Sequence, residues 1–247
     1  MNDGEAPRGT LGTIHNASVL LDLLSRGPAF HQLSDLADRS GLSLPTVHRL
    51  LRSLVAAGVV QQDPASSRYG LGPELVRLSE RYLDRLPLLQ SLRPYLVDLR
   101  NRTGATVQVA IRVRDTVVYV ERIDGVDSVQ LQRSGRTQSV AAGAAGRLVA
   151  GHAGPTAWKE LVTLDDRLSI EDLEAWSHAE HLVADLDGPR GYTEVAVPLR
   201  CTEGPEAAAL SAVGGPPSFT REQLVAEVLP ELEQTAAVVE RMSGRVG

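Results

Sequence analysis

"SGLSLPTVHRLLRSLVAAGVV", Ser40 to Val60, is the stretch whose reading decides the fold. Val47, Leu50, Leu51, Leu54 and Val55 recur at helical spacing and predict one buried face. Gly41 closes whatever precedes it, as a glycine past a helix C-terminus does. Ser43 stands where a cap is needed, and Pro45 falls inside the first turn, where its missing N–H costs nothing. The opposite face keeps Ser43, Thr46, His48, Arg49, Arg52 and Ser53, and no Asp or Glu occurs from Arg39 to Gln62. A solvated basic face on an amphipathic helix would explain this stretch taken alone. Its neighbours argue for more.

Upstream, Ile14, Ala17, Val19, Leu20, Leu21, Leu23 and Leu24 give a first apolar helix ending near Arg26-Gly27-Pro28, and Leu33, Leu36 and Ala37 mark a second, short one. Downstream, the third helix stops near Gly58. "VVQQDPASSRYGLG" then reads as a strand, a polar turn at Asp63-Pro64-Ala65-Ser66, and a strand at Arg68–Leu71. A short helix, a glycine turn, a helix with a polar outer face and a hairpin form the winged helix-turn-helix pattern. An α-helix fits the major groove of B-DNA, and side chains near its start reach base edges. Arginine can donate two hydrogen bonds to guanine, and backbone amides at a helix start hold phosphate. Ser43, Pro45, Thr46, His48, Arg49 and Arg52 are therefore the expected DNA-facing residues, with Ser66, Ser67 and Arg68 of the hairpin on phosphate.

The charge distribution agrees with this. The chain carries 25 basic and 31 acidic residues, a net −6. Residues 1–72 contain six Arg and six Asp or Glu and sum to zero; the remaining 19 basic and 25 acidic residues supply the whole excess. A DNA reader needs a local basic face, not a basic total. A single cysteine, Cys201, excludes an internal disulfide framework. With no signal-like start and no apolar run of the ~18 residues a membrane helix needs, the expected location is the cytoplasm.

The rest of the chain changes period. "PELVRLSERYLDRL" is a helix opened by Pro73 and interrupted at Pro87, and another helix runs from Leu88 to about Asn101. "TVQVAIRV" and "TVVYVERI" are strands about a turn at Arg114-Asp115, and "SVQLQ" is a third. "SVAAGAAGRLVAG" reads as a tightly packed helix, followed by short helices around Ala157–Leu161 and Ile170–His181. "TEVAVPLR" and "AAALSAV" are two further strands. Thr220 with Gln223 forms a capping box for a last helix to about Met242. The expected fold class is α+β: a disordered tail over 1–10, a winged helix-turn-helix over 11–72, a linker helix over 73–87, and a domain over 88–247 built on a largely antiparallel sheet.

These motifs also resemble a known family. "QLSDLADRSGLSLPTVHRLLRSLVAAGVVQQDPASSRYGLGPELVRL" is similar to the N-terminal domain of IclR-type transcriptional regulators. "LRNRTGATVQVAIRVRDTVVYVERIDG", "AAGAAGRLVAG", "RGYTEVAVPLR" and "AAALSAVGGP" are similar to segments of that family's effector-binding domain. The likeness runs over roughly 12–242 and is weakest around 152–180. It implies a DNA-binding domain, a linker helix used in dimerisation and a GAF-like ligand domain. The implied partners are a palindromic double-stranded operator, a small organic effector, and a second copy in a dimer or dimer of dimers.

The resemblance also locates an effector site between the sheet and the small-residue helix, where Gly143, Ala144, Ala145 and Gly146 form the helix start. Small side chains there admit a carboxylate to backbone N–H groups and the positive end of the helix dipole. Close helix–sheet packing explains the same residues. This chain departs from the family pattern after Gly191-Tyr192, where about ten residues are missing. Glu194 falls where the family has a pocket cysteine. On the last strand Ser211 matches the first of two family serines, and Val213 replaces the second; Cys201 is not the family cysteine. The alternation of a strand puts Ser211 and Val213 on one face. A pocket that loses polar groups and gains an anion-repelling Glu is expected to be reshaped, to suit a larger, more apolar ligand, or to take none.

Other signals are weak. His178 and His181 lack the further ligands a metal needs, and Asp165-Asp166 and Glu171-Asp172 need no role beyond solvation and the helix dipole. No Gly-x-Ser-x-Gly, P-loop or dinucleotide fingerprint occurs. The expectation is a regulator with no catalytic residues, cofactor or metal. Two alternatives stand beside it: an esterase- or lactonase-like enzyme with an accessory DNA-binding domain, and a constitutive DNA-binding protein with a degenerate pocket.

Overall fold

The computed structural model describes residues 10–126, 137–186, 191–200 and 207–243. The expected strand "SVQLQ", Cys201 and all but the last residue of the expected N-terminal tail lie outside them. The chain divides into two compact units, Met1–Tyr82 and Leu83–Gly247.

The first unit contains α1 (Thr10–Ser25), α2 (Leu33–Ser40), α3 (Leu44–Ala56), β1 (Val60–Gln62) and β2 (Tyr69–Leu71). Gly41 ends α2 at φ 68°, a left-handed conformation that glycine adopts without steric cost. Leu20, Leu24, Leu36, Val47, Leu50, Leu51, Val60 and Tyr69 form its core. The apolar stripe on α3 is narrower than its sequence suggests, since Leu54 is part-buried and Val55 exposed. Ile14 is also exposed, and the buried residues of α1 are Leu20 and Leu24. β1 and β2 pair antiparallel, and His31 exchanges two backbone hydrogen bonds with Tyr69 (2.8 and 2.9 Å), which ties the α1–α2 connection to the hairpin. The next helix, α4 (Glu74–Leu83), buries none of its residues.

The second unit contains α5 (Pro87–Thr103), β3 (Thr106–Val113), β4 (Thr116–Ile123), β5 (Thr137–Ser139), α6 (Ala144–Gly151), α7 (Pro155–Leu164), α8 (Ile170–Ser177), β6 (Leu182–Asp185), β7 (Thr193–Leu199) and β8 (Ala208–Gly214). It ends with α9 (Arg221–Gln223), a π-turn (Leu224–Val228) and α10 (Leu229–Ser243). Among the described residues, six strands form one antiparallel sheet in the order β5-β4-β3-β8-β7-β6. Alternation sends Val107, Val109, Val195, Val197, Leu210 and Ala212 to one face, under Leu92, Leu96 and Leu99 of α5 and Leu232 and Val239 of α10. The other face carries Ala110, Tyr119, Ala196 and Ala209 against Ala144, Ala145, Leu148 and Val149 of α6. Each face therefore has its own core, and the second is built at close range from small residues.

Several expectations change here. The small-residue helix starts at Ala144, not near Ser139. Residues 137–139 instead pair with β4, and Val140 N–H reaches the Asp115 carbonyl. The helix expected to reach His181 ends at Ser177, and Leu182–Asp185 forms an unforeseen edge strand on β7. The Thr220–Gln223 capping box is present with both reciprocal bonds.

Candidate DNA-reading face and ligand pocket

On α3, Ser43, Pro45, His48, Arg49, Arg52 and Ser53 are exposed and Thr46 is part-buried. The turn of the helix carries His48, Arg49, Arg52, Ser53 and Ala56 to the lining of one shallow concavity. Ser43 occupies the N-cap position but its hydroxyl does not cap the helix; it shares a 2.8 Å hydrogen bond with the Thr46 hydroxyl. Ser53 Oγ donates to the Arg49 carbonyl at 3.2 Å and so is engaged within the helix. Leu44, which the apolar pattern did not single out, is 49% exposed at the first helical position.

The hairpin turn is organised by Asp63, whose carboxylate accepts from the N–H groups of Ala65 (3.3 Å) and Ser66 (3.0 Å) and from the Ser66 hydroxyl. Those bonds, the Ser66 hydroxyl first, pull its pKa below the ordinary carboxylate value. The Ser66 hydroxyl is thus engaged within the turn. Ser67, at φ 57°, and Arg68 are both exposed at the tip.

In the second unit, β7 places Glu194 on the α6 side of the sheet, where its carboxylate is fully buried. One oxygen accepts from the Tyr119 hydroxyl at 3.0 Å and the other from Ala145 N–H at 3.2 Å. The Gln138 amide on β5 donates in turn to the Tyr119 oxygen. Burial pushes the Glu194 pKa above its ordinary 4.5, against the opposing pull of Ala145, Ser211, Tyr119 and Ala144. Burial, and then the nearby Glu194 charge, likewise push the Tyr119 hydroxyl well above the ordinary phenol value. Gly143 is the N-cap of α6, and a Cβ there would collide with the Glu194 carboxylate. Glycine is what permits the close approach. Register sets Ser211 opposite Ala196 and Val213 opposite Glu194. Ser211 Oγ is buried and makes no hydrogen bond of good geometry, though it lies near enough to favour the charged carboxylate. Val213 packs with Tyr192 and Leu186. Gly146 is buried against the Val140 carbonyl.

Sequence reasoning missed Tyr119 and Gln138. Tyr119 looks like an ordinary strand aromatic, and Gln138 lies on a three-residue edge strand with no periodicity. Asp165, read as solvated, is buried. The Arg167 guanidinium, followed by the Ser139 hydroxyl at 2.7 Å, holds its carboxyl well below the usual range. His181 pairs with Glu233 at 3.2 Å, whereas His178 is the C-cap of α8. Among the described residues, no group of three or more His, Cys, Asp or Glu side chains is placed to hold a metal, and no helix is long and apolar enough to cross a membrane.

Residues 13–64 match the IclR helix-turn-helix domain, and residues 80–241 match the C-terminal domain of bacterial IclR transcriptional regulators. The chain belongs to the IclR family. The glycerol operon regulatory protein of Streptomyces coelicolor is 28% identical over 245 residues, covering 94% of this chain and 96% of that protein. An IclR transcriptional regulator from Alicyclobacillus acidocaldarius has a similar structure, with a TM-score of 0.70 at 26% identity over 94% of this chain and 99% of that one. An IclR homologue from Microbacterium hydrocarbonoxydans, solved with 4-hydroxybenzoate, shares the fold at a TM-score of 0.64 and 22% identity, over 93% of this chain and 98% of that one. The protein is thus a transcriptional regulator of the IclR family, with a DNA-binding helix-turn-helix domain and a C-terminal domain of the effector-binding kind.

Proposed function

We propose that this IclR-family protein reads a palindromic operator as a homodimer, or as a dimer of dimers. In this reading α3 lies in the major groove and the hairpin tip on the adjacent backbone. The observation that carries it is the acid-free outer face of α3, where His48, Arg49 and Arg52 line one concavity. Arg49 and Arg52 read base edges or hold phosphate, Ser43, Pro45 and Thr46 sit at the helix start, and Ser67 and Arg68 meet phosphate from the hairpin. In the first turn of α3 the Thr46 and Val47 N–H groups donate to the Ser43 carbonyl and Pro45 has none, so the Leu44 N–H is the amide available there to a phosphate oxygen.

The second copy is supported by α4. Leu75, Leu78 and Tyr82 recur at helical spacing, yet Leu78 is 46% and Tyr82 52% exposed. An apolar stripe on a helix that buries nothing needs a cover, and a second α4 supplies one. The α+β unit is a sensor and not a catalyst in this reading. It responds to a small organic molecule of apolar character, or has lost its response, and aromatic acids of the 4-hydroxybenzoate type are the first probes to try. No ester or lactone turnover is expected.

Footprinting on DNA upstream of the protein's own gene tests the reading. Two protected half-sites, centred one helical turn (~34 Å) or a whole multiple apart, are expected. Protection with no symmetry, or none on any upstream fragment, would contradict it.

A further inference from the structure

The N-terminus of α6 already holds a carboxylate, and it is the chain's own. Glu194 brings two oxygens to a wholly buried position, where the Tyr119 hydroxyl and the Ala145 amide donate to them and the Ala144 amide and Ser211 hydroxyl lie near enough to favour the charge. Gln138 fixes the Tyr119 hydroxyl from behind, and Gly143 has no Cβ where the carboxylate lies. Donors converging on a helix start, with small residues admitting the anion, are what a protein uses to bind an acid from solution. One of them, the Ser211 hydroxyl, is fully buried and left without a well-formed hydrogen bond among the described residues. A glutamate serving only the core would be poorly chosen, because burying a carboxylate is costly and an apolar residue of similar size would fill the space without that cost.

We propose that Glu194 is a built-in ligand: its carboxylate occupies a seat for a short-chain carboxylic acid and holds α6 on the sheet in the acid-occupied arrangement with no external acid. The proposal rests on reading this unit as an effector domain only for its regulatory meaning. The seat itself is a matter of the unit's own chemistry. Shortening Glu194 to alanine removes a fragment the size of acetate, and shortening it to glycine removes one the size of propionate. The vacated seat should accept those two acids.

The test is thermal unfolding of the full chain as wild type, Glu194→Ala, Glu194→Gly and Glu194→Gln, titrated with sodium acetate or propionate against sodium chloride at equal ionic strength. Glu194→Ala should melt below wild type and regain several degrees with acetate, saturably, as a ligand that binds only the folded state requires. Glu194→Gly should prefer propionate. Wild type and Glu194→Gln, whose seats are filled, should not respond beyond the chloride control. A folded Glu194→Ala that gains nothing over chloride would overturn the proposal, and so would a wild type that gains as much as the variant. If the shortened variants do not fold under any condition, the full-length forms decide. No acid-specific shift in either supports the proposal, and a saturable shift in wild type refutes it. Because the readout is stability, it stands whether or not an operator is found; failure of DNA binding in every form would count against the regulator reading alone.

Discussion

Ser67 holds a left-handed backbone, φ 57°, at the hairpin tip, where a side chain is strained and glycine is not. Ser67→Gly should therefore stabilise the first unit by about 1 kcal/mol in urea denaturation; a loss of stability would show that the side chain contributes more than the strain it causes. The opposite holds at Gly143. Adding a Cβ there meets the Glu194 carboxylate, so Gly143→Ala should cost about 1–3 kcal/mol, as overpacking of a core does; an unchanged midpoint would mean that the carboxylate moves freely. Glu194 itself predicts a pH trend. Its folded pKa lies above the ordinary 4.5, pushed there by burial, so the folded chain keeps a proton that the unfolded chain has released. Stability from this group is present below pH 4.5 and is lost as pH rises toward the folded value. Glu194→Gln does not titrate, so its melting temperature relative to wild type should rise with pH from 4.5 upward. A flat difference would show that the donors around the carboxylate offset the cost of its burial.

Among the elements, α4 carries the sharpest prediction. Leu78→Glu puts a charge in the stripe formed with Leu75 and Tyr82. If that stripe is covered by a second copy, sedimentation equilibrium should show a shift toward monomer with little change in helix content; an unaltered assembly would place the interface elsewhere. The elements most legible in the sequence were those with strong periodicity or punctuation: α2 and α3 around Gly41, the β3–β4 hairpin around Arg114-Asp115, and the Thr220 capping box. β5 and β6 were not legible. They are three and four residues long, lie at the two edges of the sheet, and present too little alternation to register. The start of α6 was misplaced because Val140 to Ala142 are small and apolar like the helix that follows, and only the extended Gly143 separates them. The resemblance singled out Gly143 to Gly146, Glu194, Ser211 and Val213, but not the contact of the Glu194 carboxylate with the start of α6. Glu194 looked like a charge that would repel a ligand, because a sequence does not reveal that a side chain reaches back to the Ala145 amide.

For the whole molecule, a net charge of −6 and a DNA-reading face are compatible because the first 72 residues are neutral overall and the third helix has no acid of its own. DNA binding therefore falls to a few cations acting locally, and their work can be separated by salt. Each phosphate contact contributes about −0.9 to the slope of log K against log salt, whereas a base contact contributes discrimination of about 1–3 kcal/mol. The most direct measurement is the affinity of wild type, Arg49→Ala and Arg52→Ala for a footprinted operator and for a scrambled duplex, across a series of salt concentrations. The predicted result is a loss on the operator for both variants. A base-reading arginine should lose preference for the operator at its position, and a phosphate-holding one should weaken both duplexes evenly with a slope shallower by about one. Unchanged affinity, preference and slope in both variants would contradict the claim that the outer face of Ser40–Val60 meets DNA.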